Sequence, residues 1–383
     1  MAENTIALNL RRVRSAKGLS QKALASRSGL SIAAYRNIET GRSEPRVRNL
    51  ISIAEVLEVP IQQLVEPVDE LRAIRFRSNK KMRSRQQILV DVARWLRDFA
   101  DIENILADRV EYKLAAIGSQ SRIRNRRAED IAGSVREAFG LDSEEPIRDI
   151  CGLLESEGIK VGEMKIASND FFGLSVAEED GGPAVLVNTW NRISVERWIF
   201  TAAHELGHLI MHLSDFDVNQ TDEKDEHESE ANAFAAAFLM PHRSFEKEWN
   251  DAYGLSLIDR VLKVKRIFRV SYRTVLHRLA PEYNGPGNIW TRFQMDCKRR
   301  YGRTLLRDDE PYALTHDEFR AGFPENRSAD EPDSLSRADF MQDRLVSLVR
   351  KAIEQEKISL SRGAEVLGIS LQDMRDLSSS WVG

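Results

Sequence analysis

The sequence predicts an α+β chain that is mostly helical, and three observations carry that expectation. Short helices punctuated by glycine and serine fill residues 5–66. Ile88, Leu89, Val92, Trp95, Leu96, Phe99, Ile102 and Leu106 recur at helical spacing. Three short apolar runs between residues 158 and 188 read as strands and lead into an apolar helix around His204.

Four zones follow from these patterns: 5–66, a basic helical linker region over 67–125, a mixed region over 126–283, and a helical region over 284–383. The last begins after the Pro281/Gly285-Pro286-Gly287 break and carries an acidic, proline-containing loop near 323–335. At 383 residues the chain has room for two or three separate cores. The formal net charge is −4, so attraction to nucleic acid must come from local clusters. Cys151 and Cys297 stand in unrelated contexts, which supports neither a disulfide framework nor a thiolate metal site. No secretory signal or membrane span is legible, so the expected compartment is the cytoplasm.

In the first zone Leu8, Leu10 and Val13 give one apolar face, and Gly18 ends the helix. Ser20 caps Gln21–Ala25, and Gly29 breaks it. Ser31 caps a third helix, Ile32–Thr40, which Gly41 closes. Leu24, Leu30, Tyr35 and Ile38 supply a core, with Leu50, Ile53, Ala54, Leu57 and Leu64 from two further helices. The pattern Leu19-Ser20-Gln21-x-x-Leu24-Ala25-x-x-x-Gly29, then Ile38-Glu39-x-Gly41-x-x-x-Pro45, Leu50 and Ala54-x-x-Leu57, resembles the Cro/repressor class of helix-turn-helix domains, the XRE family. The resemblance implies a five-helix domain on double-stranded DNA, with the third helix in the major groove. Base readers would be Gln21, Ile32, Ala33, Arg36 and Asn37, and phosphate contacts Lys22, Arg42 and Arg46. Ile32 and Ala33 depart from polar readers and suit thymine methyl groups. The alternative is a module for protein interaction or dimerisation.

Arg72, Arg75, Arg77, Lys80, Lys81, Arg83 and Arg85 form an acid-free basic cluster, read as added phosphate contact. Arg122, Arg124, Arg126 and Arg127 form a second, for which a solvated helix face serves as well.

In the third zone Gly158–Val161, Phe171–Val176 and Ala184–Asn188 are the expected strands. The helix after them contains His204-Glu205-Leu206-Gly207-His208. Residues four apart share a helix face, so His204 and His208 can bind one ion, with Glu205 beside the metal's water as general base. A zinc ion lowers that water's pKa to ~7. Glu230 shares a helix face with Phe234, Ala237 and Phe238 and is the expected third ligand, since a buried carboxylate wants a cation. Glu226, one turn earlier, is the second choice, as ligand or as partner to a ligand histidine. Glu223 and Glu228 read as solvated. His212 lies ~12 Å along the helix from His204, too far to share one ion, and reads as packed or hydrogen-bonded behind the ligands. His227, His242, His277 and His316 are isolated, though His227 or His242 could approach the site.

The series Gly182-Pro183, Val187-Asn188, Arg197-x-x-Phe200-Thr201-x-Ala203-His204-Glu205-Leu206-Gly207-His208 and Glu230-Ala231-Asn232-x-Phe234-Ala235-x-x-x-Leu239-Met240-Pro241 resembles the ImmA/IrrE family of metallo-endopeptidases. Phe268-x-Val270-Ser271 and Arg278-Leu279 match its helical tail, so the likeness covers about residues 126–283. It implies a zincin-like fold of the gluzincin kind. One Zn2+ per chain would sit on His204, His208 and Glu230, with Glu205 as base. Several members cleave an XRE-class repressor in stress response or mobile-element transfer. The implied substrate is such a regulatory protein; fusion of the two domains through an exposed linker adds the chain itself, with cleavage in the Arg72–Arg85 linker, and the activity can be latent. Substrate would lie as an extended strand along a sheet edge near Val185–Asn188. Tyr253, Tyr272 and His242 are the candidates for steadying the oxyanion.

Toward the C-terminus, Leu345–Ile353 and Ile358–Ser370 suggest a second, degenerate helix-turn-helix with little basic charge, suited to packing or dimerisation. The sequence thus points to a cytoplasmic, homodimeric DNA-binding regulator with a zinc endopeptidase domain. The alternative is a non-proteolytic transcription factor or antitoxin whose zinc domain senses a ligand or docks a partner.

Overall fold

A computed structural model of the chain describes residues 5–65, 71–76, 85–118, 126–142, 144–218, 224–283, 286–306, 309–315 and 331–381. Arg77, Lys80, Lys81 and Arg83 of the first basic cluster lie outside the described residues, as do Arg122 and Arg124 of the second. So do Glu223, His316, Gly285 and residues 323–330 of the acidic loop. The chain divides into two compact units, 1–72 with 80–102, and 73–79 with 103–383. Among the described residues no helix is long and apolar enough to cross a membrane.

The first unit holds α1 (Thr5–Ala16), α2 (Gln21–Arg27), α3 (Ile32–Glu39), α4 (Val47–Leu57) and α5 (Gln62–Val65). Ser20 and Ser31 cap α2 and α3 by accepting from the Ala23 and Ala34 amides, each at 3.1 Å. Leu10, Val13, Leu24, Ala25, Tyr35, Ile38, Leu50, Ile53, Ala54, Leu57 and Leu64 form one core, with Leu30 half-buried against it. Leu8 departs from the expected face and is exposed, because Asn9 takes the inward position and donates to the Leu64 carbonyl at 3.1 Å. The long helix α6 (Arg85–Leu106) contributes most of its length to this unit, with Arg12 Nε donating to Gln87 Oε1 at 3.3 Å.

The second unit is built on a four-stranded sheet of order β1-β3-β4-β2. Its strands are β1 (Ile74–Phe76), β2 (Lys160–Met164), β3 (Gly173–Val176) and β4 (Ala184–Asn188). β4 runs parallel to β2 and antiparallel to β3, and β1 is antiparallel to β3. Two expectations change here. Ile74–Phe76, read as basic linker, is a strand. Val185–Asn188 lies in an inner strand with neighbours on both sides, so it offers no edge to a peptide.

Around the sheet run α7 (Ala128–Ala138), α8 (Ile150–Ser156), α9 (Val195–Met211), α10 (Asp225–Leu239), α11 (His242–Asp251), α12 (Leu257–Phe268), α13 (Tyr272–Leu279) and α14 (Pro286–Tyr301). Ser194 caps α9, which packs against β3 and β4 on one side and α10 on the other. A Cβ on Gly207 would stand 3.0 Å from the Phe234 ring, so this glycine allows α9 and α10 their close approach.

Residues beyond 284 belong to the same core. Ile289, Phe293, Cys297, Leu314 and Phe340 are buried in it, and Phe340 sits edge-on to Trp198 at 6.1 Å. Then come α15 (Arg344–Glu354), α16 (Leu360–Leu367) and α17 (Leu371–Ser379). Ser359 and Ser370 cap the last two, which gives the expected helix–turn–helix outline. Glu155 from α8 accepts from the Asp343 and Arg344 amides at 3.3 and 3.2 Å and so caps α15. Both cysteines are free thiols and buried.

Candidate functional site

On α9, His204 and His208 fall one turn apart on one face and are almost fully buried. Their Nε2 atoms are 3.0 Å apart. Glu228 of α10 completes the group: Oε2 is 3.4 Å from His204 Nε2, and Oε1 is 3.2 Å from His208 Nε2. Donors around a tetrahedral zinc with bonds of about 2.0–2.2 Å stand roughly 3.3 Å from one another, so this spacing fits one ion.

The structure does not bring Glu230 or Glu226 to this pair of histidines. Glu230 is turned toward His212, with 46% of its side chain exposed, and Glu226 is exposed. Glu228, read as solvated, is instead buried. The reason is helical phase. Phe234, Ala237 and Phe238 alone centre the apolar face near Glu230. Ala231, Ala235 and Leu239 are also buried, and they rotate its centre toward Ala231. At about 100° per residue Glu228 is then ~60° from that centre and Glu230 ~100°.

The hydrogen bonds behind the donors fix their tautomers. Glu230 Oε2 is 2.8 Å from His212 Nε2, and His212 Nδ1 is 2.9 Å from His208 Nδ1. An ionised carboxylate only accepts, so His212 donates through Nε2–H and accepts at Nδ1. His208 must then carry its proton on Nδ1, leaving the Nε2 lone pair toward Glu228. His204 is held likewise, with Nδ1 at 3.1 Å from Asn232 Oδ1. Burial pushes the His208 and His212 pKa values down, which keeps both rings neutral. Two imidazole lone pairs and a carboxylate converging in a buried place could hold a divalent cation.

Glu205 is also buried, and its Oε2 accepts from Ser175 Oγ of β3 at 2.8 Å. Gly173, two residues earlier, lets β3 come down on α9. A Cβ there would meet Thr201 Cγ2 at 2.6 Å and Glu205 Oε1 at 3.3 Å. Asn188 of β4 accepts from the Ile166 amide and donates to the carbonyls of Ile166 and Phe171, tying down the loop that precedes β3.

Arg75 of β1 reaches the same place, with Nη2 3.2 Å from Glu228 Oε1 and 11% of its side chain exposed. It is therefore not a phosphate contact in a solvated basic cluster. His227 stacks on His212 with ring centroids 4.2 Å apart, and His212, His227 and Glu230 form a second, more open group of possible ligands. Tyr272 is buried and stacked on Phe293, Tyr253 is 88% exposed, and His242 pairs with Glu246 at 3.3 Å. No described contact brings these three to the cluster.

Sequence reasoning missed Glu228, Asn232, Ser175 and Arg75 as parts of this site. The legible signal was the run of small residues Ala231 and Ala235, which places Glu228 one and two turns before them on the same face.

In the first unit Lys22, Ile32, Ala33, Arg36, Asn37, Arg42 and Arg46 are all exposed, while Gln21 is half-buried. A polar chain supports the surface they share. Arg14 donates to both oxygens of the buried Glu39 at 2.7 and 2.8 Å. Gln21 Nε2 donates to Glu39 Oε1 at 2.9 Å, and Gln21 Oε1 accepts from Arg36 Nε at 3.2 Å.

Comparison with known proteins agrees with this two-part layout. Residues 10–64 match the helix-turn-helix family model, and residues 154–280 match the IrrE N-terminal-like domain. An uncharacterized HTH-type transcriptional regulator, y4dJ, of Sinorhizobium fredii is 40% identical over 62 residues, which are 16% of this chain and 80% of that protein. A solved transcriptional regulator of Mycobacterium tuberculosis is 20% identical with a TM-score of 0.28, a likeness too weak to inform the fold. It covers 48% of this chain, and this chain spans 52% of that one. The two units thus match separate family models, and the chain belongs to the XRE-type helix-turn-helix regulators, with an IrrE/ImmA-like domain fused to that helix-turn-helix unit.

Proposed function

We propose that the chain is a DNA-binding transcriptional regulator whose second unit is a zinc-dependent endopeptidase acting on a regulatory protein or on the chain itself. The observation that carries the peptidase reading is the convergence of His204 Nε2, His208 Nε2 and the Glu228 carboxylate beside the fixed carboxylate of Glu205. These three residues would hold the ion, in place of the set with Glu230. A zinc ion held there would polarise a peptide carbonyl and acidify a water molecule. Glu205, fixed by the Ser175 hydroxyl at Oε2, would take the proton of the attacking water and pass it to the departing amine nitrogen. His212 and Glu230 orient the ring of His208, and Asn232 that of His204. Burial around α9 excludes bulk water from this exchange.

For the head, the reading places α3 in the major groove of DNA. Arg36 and Asn37 face bases, and Lys22, Arg42 and Arg46 neutralise phosphates. Val47 and Ile51 are 69% and 45% exposed, an apolar surface suited to pairing two heads on adjacent half-sites in the cytoplasm.

The deciding experiment pairs zinc analysis with a cleavage assay on purified XRE-class repressors and on the chain itself, wild type against Glu205→Gln. Cleavage by the wild type alone, with equal zinc in both proteins, supports the reading. A Glu205→Gln protein that keeps every regulatory phenotype while Arg36→Ala loses them would sink it in favour of a non-proteolytic sensor.

A further inference from the structure

β3 is the strand that borders the base. Ser175 touches Glu205, and Gly173 lies against both Glu205 and Thr201. An extended peptide bonded to the outer edge of β3 would present its backbone beside the base and the histidine cluster. β1 lies along that edge, antiparallel, with Ile74 opposite Val176, Arg75 opposite Ser175 and Phe76 opposite Leu174. Residues directly opposite in such a pair share a face of the sheet, so Arg75 projects on the side of Ser175 and Glu205. Its guanidinium ends at Glu228, within the ligand cluster. Ile74 and Phe76 turn to the other face and are buried, and Phe76 stacks on Phe171 at 5.0 Å. Ala73 adds a bond from its amide to Asp180 Oδ2 at 2.6 Å, and its carbonyl accepts from the Ala177 amide at 2.9 Å.

Two further facts mark β1 as an occupant. It lies outside residues 154–280, the span shared with the IrrE-like domain, and in sequence it follows the helix-turn-helix span 10–64. A three-residue strand also has little stability of its own, so side-chain anchors hold it. We infer that the outer edge of β3 is a peptide-binding edge and that Ile74-Arg75-Phe76 is the chain's own peptide in it. The class of peptide this edge accepts is therefore an extended segment with a basic residue between two apolar ones. A partner peptide binds only where β1 has left. The inference rests on the peptide-handling reading of the site.

The test uses full-length, zinc-loaded Glu205→Gln protein and a labelled hexapeptide of residues 71–76, Leu-Arg-Ala-Ile-Arg-Phe, followed by fluorescence anisotropy. Adding Ile74→Asp and Phe76→Asp puts charge in both anchor sites and releases the strand. Expected is about tenfold tighter peptide binding than in the parent, because the competing occupant is gone. Replacing the peptide's fifth residue with alanine should cost roughly fivefold. A second arm, Arg75→Ala alone, leaves both anchors in place and should raise affinity by roughly threefold. Zinc content is read on the same samples. Failure of the peptidase reading shows as proteins that hold no zinc and cleave nothing. Failure of this inference shows as zinc-bearing variants of both arms that bind the hexapeptide no better than the parent.

Discussion

The two units solve the same problem, fixing a polar side chain for a task, in opposite settings. In the head, Arg14 and Glu39 form a paired charge beneath the surface, and through Gln21 they steady the exposed Arg36. In the second unit the fixed groups are themselves buried, and the support runs outward: His208 leans on His212, and His212 on the half-exposed Glu230. A surface reader needs one helix and its near neighbours. The buried donor set needs β3, α9 and α10 in register.

That difference predicts where single changes hurt. The largest effect should come from Glu228→Gln, which removes the carboxylate from the donor set and should abolish stoichiometric zinc binding. Glu230→Gln keeps all three donors and should weaken affinity by only about 10–100-fold. Competition with a chelator of known affinity ranks the two, and equal losses would erase the distinction between ligand and support. Next is Glu39→Ala, which leaves the part-buried Arg14 without its carboxylate partner and should cost the head about 1.5–3 kcal/mol. Calorimetry should show the loss in the head's transition alone.

A pH scan probes the second unit. Burial raises the Glu155 carboxyl to about 7, above its ordinary 4.5. The fold therefore holds that proton more tightly than the unfolded chain does. Its contribution is full below about 4.5 and is lost as pH rises through 7, a change on the order of 3 kcal/mol. Burial raises Glu310 to about 7 as well, which adds a slope of the same sign. Melting temperatures of Glu155→Gln from pH 5 to 8 should be flatter than those of the wild type, and parallel curves would contradict the assignment. The smallest effect is in the head: Arg36→Ala should weaken operator binding by about 1–3 kcal/mol without moving its melting temperature.

What the sequence disclosed follows the same divide. The caps Ser20 and Ser31, most of the head's core and the His204–His208 pair are local patterns, and each was legible. The strands β2, β3 and β4 were too, since they are short apolar runs. Glu228 was misread because three apolar residues set the phase of α10, whereas small alanines decide which way it faces. β1 was missed because nothing local makes Ile74-Arg75-Phe76 a strand; its partner is about 100 residues away. Val185–Asn188 was read as a sheet edge because strand order is not chain order, and β4 lies inside the sheet.

The strand at residues 74–76 also constrains how the molecule can be divided. A head swap or truncation that cuts after α5 and rejoins at α6 would discard β1 along with the linker. The remaining domain would keep His204, His208 and Glu228 but expose the hydrogen-bonding edge of β3, with the Phe171 ring uncovered beside it. Bare edges recruit strands from other molecules, so such a fragment should self-associate on concentration. Chimeras that carry residues 71–76 with the C-terminal part should stay dispersed. In engineering terms, residues 73–76 belong with the second unit wherever the modules are joined.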